Sequence, residues 1–448
     1  MKNYIVIIYS ILILSLVSCT DGFDENIFQK NYIIANGNEI IKTERMYGDK
    51  GGAKLFYGIF LSNEKSMYYY GVNGIDNDLF RGRYKVHYYE SNYIVGKINE
   101  LGDIAWEQTF NDDNWIGGIV QNSRNDLYVY GQKYENDEDI KYIANVSQDG
   151  TIKELNTNNL PALNTINSMK YIDNDLFLLV GTDSVENNYL IIVKLSGMTV
   201  TVVKSMIYGT NTDWEASYVE QLIANTYDVV LTGENEKSQL IARKIRISNS
   251  DITTLWEQTI TSDIMQNSSS NLTSSCNYTN NQAVKIDNEI CIIGYGENDM
   301  DFTSNSGYKW KRGLVANLNY DTGEFNWLQT IPYKNPTVGD VRINSILYLD
   351  NNFYVIGQYN ALVSSVNKQQ VGYGFVQRIS QSGNLFDIRI FGNETADANL
   401  SDGIILNKKL FLFGYKGRSF KMDFPYPNLM INSEAYQAWF ISCNINDF

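Results

Sequence analysis

Histidine is almost missing from this sequence, since His87 is the only one among 448 residues. Nucleophilic catalysis by a Ser-His-Asp or Cys-His arrangement needs an imidazole base, and multi-histidine metal sites need several imidazoles. A single histidine excludes a multi-histidine metal site and leaves His87 as the only possible imidazole base, and we expect His87 to be solvated in its loop. The sequence predicts no catalytic residue set, no metal ligand set and no cofactor.

The chain also lacks clusters of positive charge. It contains 36 Lys and Arg against 51 Asp and Glu, with a formal net charge of −15, and it has no run of Lys or Arg. Binding to nucleic acid or anionic lipid depends on clustered cations that neutralise phosphates. We therefore expect neither nucleic acid nor an anionic lipid surface as a partner.

The N-terminus carries one short apolar run, which ends at Leu16-Val17-Ser18-Cys19. The run is shorter than the roughly 20 residues of a membrane-spanning helix, so residues 1–18 are predicted to be a secretory signal. The alternatives to a lipoprotein signal are a plain signal peptide without a lipid anchor or an N-terminal membrane helix. A small residue before a cysteine resembles a bacterial lipobox, which implies that Cys19 is lipidated and that a lipid anchor is the only membrane attachment.

Residues 19–37 are predicted to be a tether that follows this anchor. The tether begins with the acidic stretch Thr20-Asp21-Gly22-Phe23-Asp24-Glu25-Asn26. This stretch resembles the surface-export signal of lipoproteins in the Bacteroidetes, which implies an outer-membrane lipoprotein exposed at the cell surface. An ordinary solvated linker is the alternative.

Cysteine is scarce beyond this position, with three further residues. An odd number leaves at least one unpaired, so no disulfide framework is predicted. Cys291 and Cys443 fall in predicted strands of different repeats and are expected to be buried as small hydrophobes. Cys276 falls in a Ser/Asn-rich loop.

Seven short apolar runs end in glycine and divide residues 38–448 into repeats of about fifty to sixty residues. A period of this length, rich in β-branched and aromatic residues and without a long helical pattern, predicts a repeated all-β unit. Each repeat holds four predicted strands joined by turns, as in one blade of a β-propeller. The seven glycines are Gly71, Gly131, Gly181, Gly233, Gly294, Gly357 and Gly414.

The two ends of the chain complete one repeat. Residues 40–48 have the pattern of a fourth strand with no strands before it, and residues 438–445 have that of a third strand with none after it. The sequence therefore predicts a single domain, a seven-bladed β-propeller of four-stranded antiparallel blades whose last blade is closed by the N-terminal strand. Two stacked sandwiches joined through residues 262–281 are the alternative.

The repeats also carry a family resemblance. A Phe or Tyr followed by glycine, then acidic and small residues, then two apolar strands ending in glycine resembles the propeller repeats of secreted Bacteroidetes lipoproteins. The stretches Leu318–Trp327 and Ile98–Trp106 are similar to the repeat of PQQ-type propellers. That resemblance implies a glycine in the turn and a tryptophan packed between blades.

Connections between strands differ in length on the two faces of the predicted ring. Turns between the first and second strands of each blade are short, whereas the opposite face carries longer connections. Loops on a rigid frame commonly hold binding sites, so a site is predicted on the long-loop face around the central channel. The longer connections are residues 73–90, 134–140, 262–281, 296–311, 360–371 and 417–436.

Aromatic residues flanked by Asn and Asp are concentrated in these connections. Such rings can stack on sugar faces or anchor a protein interface. The alternative for each ring is packing under its own loop or between blades. The candidate ligand-binding residues are Trp115 and Trp214, at equivalent positions between blades, and Trp310, Tyr308 and Tyr426, in connections that precede third strands.

The function predicted from these features is that of a monomeric, non-catalytic envelope lipoprotein that binds a glycan or an envelope protein. One alternative is a scaffold in outer-membrane protein assembly, and the other is a carbohydrate-active enzyme. Two carboxylates suffice for glycoside cleavage. The acidic residues expected near the channel mouth are Asp112, Asp113, Asp213, Asp402 and Glu234.

Overall fold

The computed structural model describes most of the chain from Ile34 onwards, in segments separated by gaps. Among these residues no helix is long and apolar enough to cross a bilayer. The signal segment, Cys19, Cys276 and His87 lie outside the described residues. The described segments are 34–48, 53–75, 92–110, 114–135, 138–210, 214–234, 240–248, 251–260, 283–298, 310–331, 338–364, 369–392, 398–417 and 436–448.

The described residues form a seven-bladed β-propeller in which each blade contains four antiparallel strands. We call the central channel of the ring the tunnel, and the strands of a blade A to D from the tunnel outwards. Strands β1 (Ile34–Asn36) and β2 (Ile41–Tyr47) precede the first blade. Blade 1 is β3 (Ala53–Leu61), β4 (Met67–Ile75), β5 (Asn92–Ile98) and β6 (Ile104–Thr109). Blade 2 is β7 (Asn114–Gln121), β8 (Leu127–Glu135), β9 (Glu138–Val146) and β10 (Ile152–Glu154). Blade 3 is β11 (Leu163–Asp173), β12 (Leu176–Asp183), β13 (Asn187–Ser196) and β14 (Thr199–Thr210).

The remaining blades follow in the same order around the ring. Blade 4 is β15 (Glu215–Ile223), β16 (Thr226–Glu234), β17 (Leu240–Ile247) and β18 (Ile252–Thr259). Blade 5 is β19 (Ala283–Ile286), β20 (Glu289–Asn298), β21 (Trp310–Asn319) and β22 (Phe325–Ile331). Blade 6 is β23 (Val338–Leu349), β24 (Asn352–Ser364), β25 (Gln369–Ser380) and β26 (Leu385–Phe391). Blade 7 is β27 (Ala398–Leu406), β28 (Lys409–Gly417), β29 (Tyr436–Asn444) and then β2.

The core consists of seven hydrophobic clusters, one between each pair of neighbouring blades. Both faces of a blade are therefore buried, and successive residues of a strand enter different clusters. In β12, Phe177 and Leu179 pack towards blade 2, whereas Leu178 and Val180 pack towards blade 4. This explains why the second strands read as continuous apolar runs rather than as alternating ones.

Strand β2 closes the ring as predicted. It pairs with β29 in antiparallel register, from Ile41 opposite Cys443 to Tyr47 opposite Ala438. The Trp439 indole Nε1 donates a 2.8 Å hydrogen bond to the Glu44 carboxylate, and the Tyr47 hydroxyl donates to the Gly102 carbonyl of blade 1. Strand β2 thus completes blade 7 as its fourth strand and also connects blade 7 to blade 1.

Strand β1 was not predicted. It pairs in parallel with β26 and adds a fifth strand to blade 6. The chain then crosses to blade 7 through a 3-10 turn, in which the Asn38 side chain donates to the Gly392 carbonyl at 2.7 Å and accepts from its N–H at 3.1 Å. The sheet therefore extends into residues 34–36 of the range assigned to the tether.

The repeated glycines accommodate a bulge rather than ending a strand. In six of the described A strands, a β-bulge shifts the pairing with strand B by one residue. The bulges lie at equivalent positions in the six blades, and we call this position the bulge level. A Cβ on Gly131 would lie 1.9 Å from the Trp115 carbonyl oxygen of the bulged strand, so only glycine fits without a shift. Five of the seven glycines occupy this level. In blade 4 the level is occupied by Leu231, and Gly233 lies two residues further on.

Tryptophans dock blades on one another, as the PQQ-type resemblance implies. Trp327 of blade 5 donates Nε1–H to the Gln381 carbonyl of blade 6 at 2.8 Å and covers Gly383 of the same turn. A Cβ on Gly383 would lie 2.7 Å from the indole, so the turn glycine is needed for contact as well as for its positive φ of 87°. The same contact joins two other pairs of blades through Trp106 with Gly150 and Trp256 with Gly323.

The short turns between strands A and B are confirmed on one face. In three blades two successive turn residues have positive φ, which is the type I′ geometry that favours Asn, Asp and Gly in two-residue hairpins. These pairs are Asn174-Asp175, Asp350-Asn351 and Asn407-Lys408.

Candidate functional site

Much of the long-loop face lies outside the described residues. Where the connections are described, two differ from prediction. Residues 134–140 do not form a long loop, because β8 continues to Glu135 and β9 begins at Glu138. Residues 360–371 are also largely strand, since β24 reaches Ser364 and β25 begins at Gln369. Both stretches contain polar residues that favour turns, but pairing of the backbone groups extends the strands into them.

At the loop-face end of the tunnel, six A strands place a partly exposed residue at one level. Each of these residues directly precedes a buried residue of an inter-blade cluster, such as Ile116 or Leu400. Because neighbouring side chains of a strand point to opposite sides, the partly exposed side chain points away from that cluster. The six residues occupy equivalent positions, because each pairs with the strand B residue that directly follows the bulge level. We call the six the tunnel rim: Leu55, Trp115, Thr165, Glu215, Arg342 and Asn399.

Trp115 is the aromatic member of the rim. Its indole folds back over Gly117, where an added Cβ would lie 2.9 Å from the ring. The side chain is partly exposed at the start of β7, directly after residues 111–113, which are outside the described residues. Among the predicted ligand-binding residues, Trp115 is therefore placed beside the tunnel with part of its surface open.

Trp214 is buried, with 3% of its surface exposed. Its ring packs against Tyr208 at 5.9 Å and beneath the Arg243 guanidinium at 4.7 Å, between blades 3 and 4. The position equivalent to Trp115 is Glu215 rather than Trp214. A shift of one residue moves a side chain to the opposite face of a strand. Trp214 thus has the inter-blade packing that was left open as an alternative.

The other predicted ligand-binding residues are not brought together by described contacts. Trp310 begins β21, but the surroundings of its side chain are not among the described features. Tyr308 and Tyr426 lie outside the described residues.

A cavity of about 420 Å³ lies inside the tunnel, walled by A strands of five blades. Its lining residues lie near the ends of these strands, so the cavity occupies the half next to the short turns. This is the half opposite to the predicted site. The walls are mainly apolar, and the polar contributions are Gln121, Lys170, Tyr171 and Tyr348.

Lys170 connects this cavity to a group of titratable side chains around the tunnel. Burial lowers the pKa of the Lys170 amine to about 8, although the carboxylates of Glu215 in blade 4 and Asp402 in blade 7 act to raise it. Burial likewise raises the pKa of Tyr70 well above its ordinary value, with Tyr130, Asp402 and Glu215 adding to the effect. Side chains from five blades therefore influence one another across the tunnel.

Asp402 is fixed in the tunnel wall. It is fully buried, and its carboxylate accepts hydrogen bonds from the backbone N–H groups of Ile59 at 3.1 Å and Gly403 at 2.8 Å. Blade 7 is thereby joined to blade 1. Of the other acidic candidates, Asp112, Asp113 and Asp213 lie outside the described residues, and Glu234 is the last residue of β16.

A second buried charged cluster holds blades 4 and 5 together. Burial alone would raise the pKa of Asp228, but hydrogen bonds from Arg246 and Lys244 outweigh this and hold it below its usual value. The Lys244 amine lies 3.1 Å from Asp228 and 3.5 Å from the ring centre of Tyr320. Because Asp228 pairs with both Lys244 and Arg246 within the interface, we assign the cluster to blade packing.

No metal site is found among the residues described, since no three Asp, Glu, Cys or His side chains there are grouped to hold an ion. Cys291 and Cys443 are both buried and free, as expected for small hydrophobes in different blades. Burial raises the pKa of each thiol, which keeps both protonated.

Lys170, Tyr70 and Tyr130 were missed by sequence reasoning. A signal for Lys170 was present, because it interrupts an apolar first strand in Ser168-Met169-Lys170-Tyr171-Ile172. A lysine in a strand buried on both faces needs a charge partner or a polar cavity. No comparable signal marks the tyrosines, because tyrosine is common in strands throughout the chain.

Comparisons with known proteins give similarity in fold only. No protein-family model matches the chain, and no curated protein sequence matches it. A protein of unknown function from Dyadobacter fermentans is 9% identical, with 90% of this chain and 98% of that chain covered and a TM-score of 0.41. Polysaccharide lyase Uly1 is 10% identical, with 95% and 94% covered and a TM-score of 0.45. Saccharomyces cerevisiae Sqt1 is 7% identical, with 92% and 99% covered and a TM-score of 0.43. Similarities at this level carry no argument about what the chain binds.

Proposed function

We propose that this protein is a non-catalytic binding protein of the cell envelope that binds a glycan at the loop-face end of its tunnel. The observation that carries the proposal is the composition of the tunnel rim. Around Trp115 the rim holds a hydroxyl from Thr165, an amide from Asn399, a guanidinium from Arg342 and a carboxylate from Glu215. An aromatic ring that can stack, with polar groups of several kinds at one level, matches the faces and hydroxyls of a sugar.

A binding experiment on the soluble protein, residues 20–448, tests this proposal. We expect binding to members of a broad glycan array, and we expect Trp115→Ala to weaken it about tenfold or more, as for a stacked aromatic anchor. Phe325→Ala is the matched control, because Phe325 is 41% exposed on the outermost strand of blade 5, away from the rim. Equal binding by wild type and Trp115→Ala would contradict the rim site.

The same array separates the alternative functions. Each glycan that binds is analysed for cleavage products, and cleavage would replace the binding role with an enzymatic one that uses the acidic residues near the tunnel. Silence across the array would favour an envelope protein as the partner, or a scaffold in membrane-protein assembly. Cross-linking in intact cells would then identify the partner.

The proposed location is the outer membrane, with the propeller facing outwards on a lipid attached to Cys19. The lipobox resemblance and the acidic tether support it. We expect full-length protein made in a Gram-negative host to incorporate an alkyne-labelled fatty acid, and Cys19→Ser to lose the label completely. Cys276→Ser is the control for non-specific acylation. Label retained by Cys19→Ser would show that the anchor is elsewhere or absent.

A further inference from the structure

Among the described residues, Lys170 is the one cationic residue in the lining of the tunnel cavity, whose walls are mainly apolar. Lys170 lines the cavity beside Met169 and Tyr171 of the same strand, and side chains such as Phe60 and Leu347 line it from other blades. A volume of about 420 Å³ is within the range of pockets that hold small organic ligands. The cavity is therefore large enough for a small molecule that contacts the amine.

The titratable groups around Lys170 come from several other blades. Glu215 of blade 4 and Asp402 of blade 7 supply the carboxylates, and Tyr70 and Tyr130 lie in the same electrostatic environment. Tyr171 and Tyr348 are the remaining titratable residues of the lining. Two carboxylates near one amine disfavour an anionic ligand, because a third negative charge would be repelled.

The amine of Lys170 is more often neutral than an ordinary lysine at the same pH. With a pKa of about 8, roughly 10% of it is neutral at pH 7, compared with about 0.04% for a lysine of pKa 10.4. A desolvated lysine of this kind is a nucleophile towards carbonyl compounds. This fits the cavity, whose apolar walls suit an uncharged ligand.

We propose that the tunnel cavity is a binding site for small, uncharged aldehydes, which Lys170 holds as an imine. The amine nitrogen attacks the carbonyl carbon, and the carbonyl oxygen takes up a proton to give a carbinolamine. Loss of water then forms the C=N bond, so one aldehyde and one lysine amine give one imine and one water. The bond is reversible, and the apolar walls hold the ligand body.

Trapping with benzaldehyde and sodium cyanoborohydride tests the proposal on the full soluble protein. The reagent delivers hydride to the carbon of the protonated imine and fixes the ligand as a secondary amine. We expect Lys170 to be modified at pH 7 at least 100-fold faster than Lys42, whose side chain is 50% exposed. Peptide mass mapping detects the modification, together with loss of tryptic cleavage after Lys170.

Two further measurements make the result specific. With cyanoborohydride in sufficient excess that imine formation limits the rate, the rate at Lys170 should rise with pH and level off above about 8, because the neutral amine then predominates. Lys170→Arg should lose this fast modification while keeping the positive charge. Modification of Lys170 no faster than that of Lys42, in the wild-type protein itself, would overturn the proposal whether or not the variant folds. The outcome is independent of glycan binding at the rim, which Trp115→Ala reports separately.

Discussion

Removing residues 20–47 from the soluble protein is expected to lower its midpoint of thermal unfolding by more than about 10 °C. This deletion removes β1 and β2 and leaves the third strand of blade 7 as an open edge. Trp439 loses its hydrogen bond to Glu44, and blade 1 loses the Tyr47 contact with Gly102. The cluster between blades 7 and 1 is then open to water at Phe440.

The expected decrease in the unfolding midpoint is large because every blade of a closed ring packs against both of its neighbours. Each blade contributes side chains to two of the seven clusters, so opening one junction exposes both neighbours. An unpaired strand such as β29, with Trp439, Phe440 and Ile441 buried side by side, also becomes a site for pairing with another chain. We therefore expect concentration-dependent association of the truncated protein in sedimentation experiments.

Two shorter deletions are the controls for this experiment. A protein that begins at Ile34 keeps both strands and should unfold like wild type. One that begins at Gly37 loses only β1, whose three residues pair with β26, and should show an intermediate decrease. Equal midpoints for proteins beginning at Gly37 and at Gly48 would show that β2 does not close the ring in solution.

The closure could be predicted because repetition makes an incomplete repeat visible. The sequence begins its repeats with a fourth strand that lacks its three predecessors and ends them with a third strand that lacks its successor. Pairing of these two strands completes one blade. Strand β1 could not be predicted in this way. Its residues Ile34–Asn36 have no counterpart in the repeats, and parallel pairing with β26 depends on where the chain enters the ring.

Register limited the prediction of the site. Trp115 and Trp214 each follow a polar stretch that ends in Asn or Asp, and the two positions read as equivalent in the sequence. The bulge level shows that they differ by one residue, so one indole lies at the rim and the other between blades. Sequence spacing of fifty to sixty residues is too loose to resolve a single position.

The cluster around Lys170 depends on contacts across the tunnel. Glu215 and Asp402 are 45 and 232 residues from Lys170 in the sequence, and only closure of the ring brings them near one amine. No local pattern records such proximity. An isolated lysine in an apolar strand marks where to look, but its partners come from the fold.

Gly131→Ala is expected to destabilise the protein by about 3 kcal/mol or more, at the upper end of the effects of overpacking. The added Cβ would lie 1.9 Å from the Trp115 carbonyl oxygen and 3.1 Å from the Gly117 nitrogen. Both contacts are backbone atoms of the bulge, so the strand itself must move. Urea unfolding of wild type and variant measures the difference.

Gly197→Ala is the matched control, because Gly197 has a φ of 58° and no atom within 4 Å of an added Cβ. It should lose only about 1 kcal/mol through its backbone conformation. Since the clash at Gly131 displaces the backbone of Trp115, Gly131→Ala should also weaken glycan binding, whereas Gly197→Ala should not. Equal losses of stability for the two variants would mean that the repeated glycine is retained for flexibility and not for the bulge. A decrease in both stability and glycan binding for Gly131→Ala would show that the repeated glycine at the bulge level also positions Trp115 at the tunnel rim.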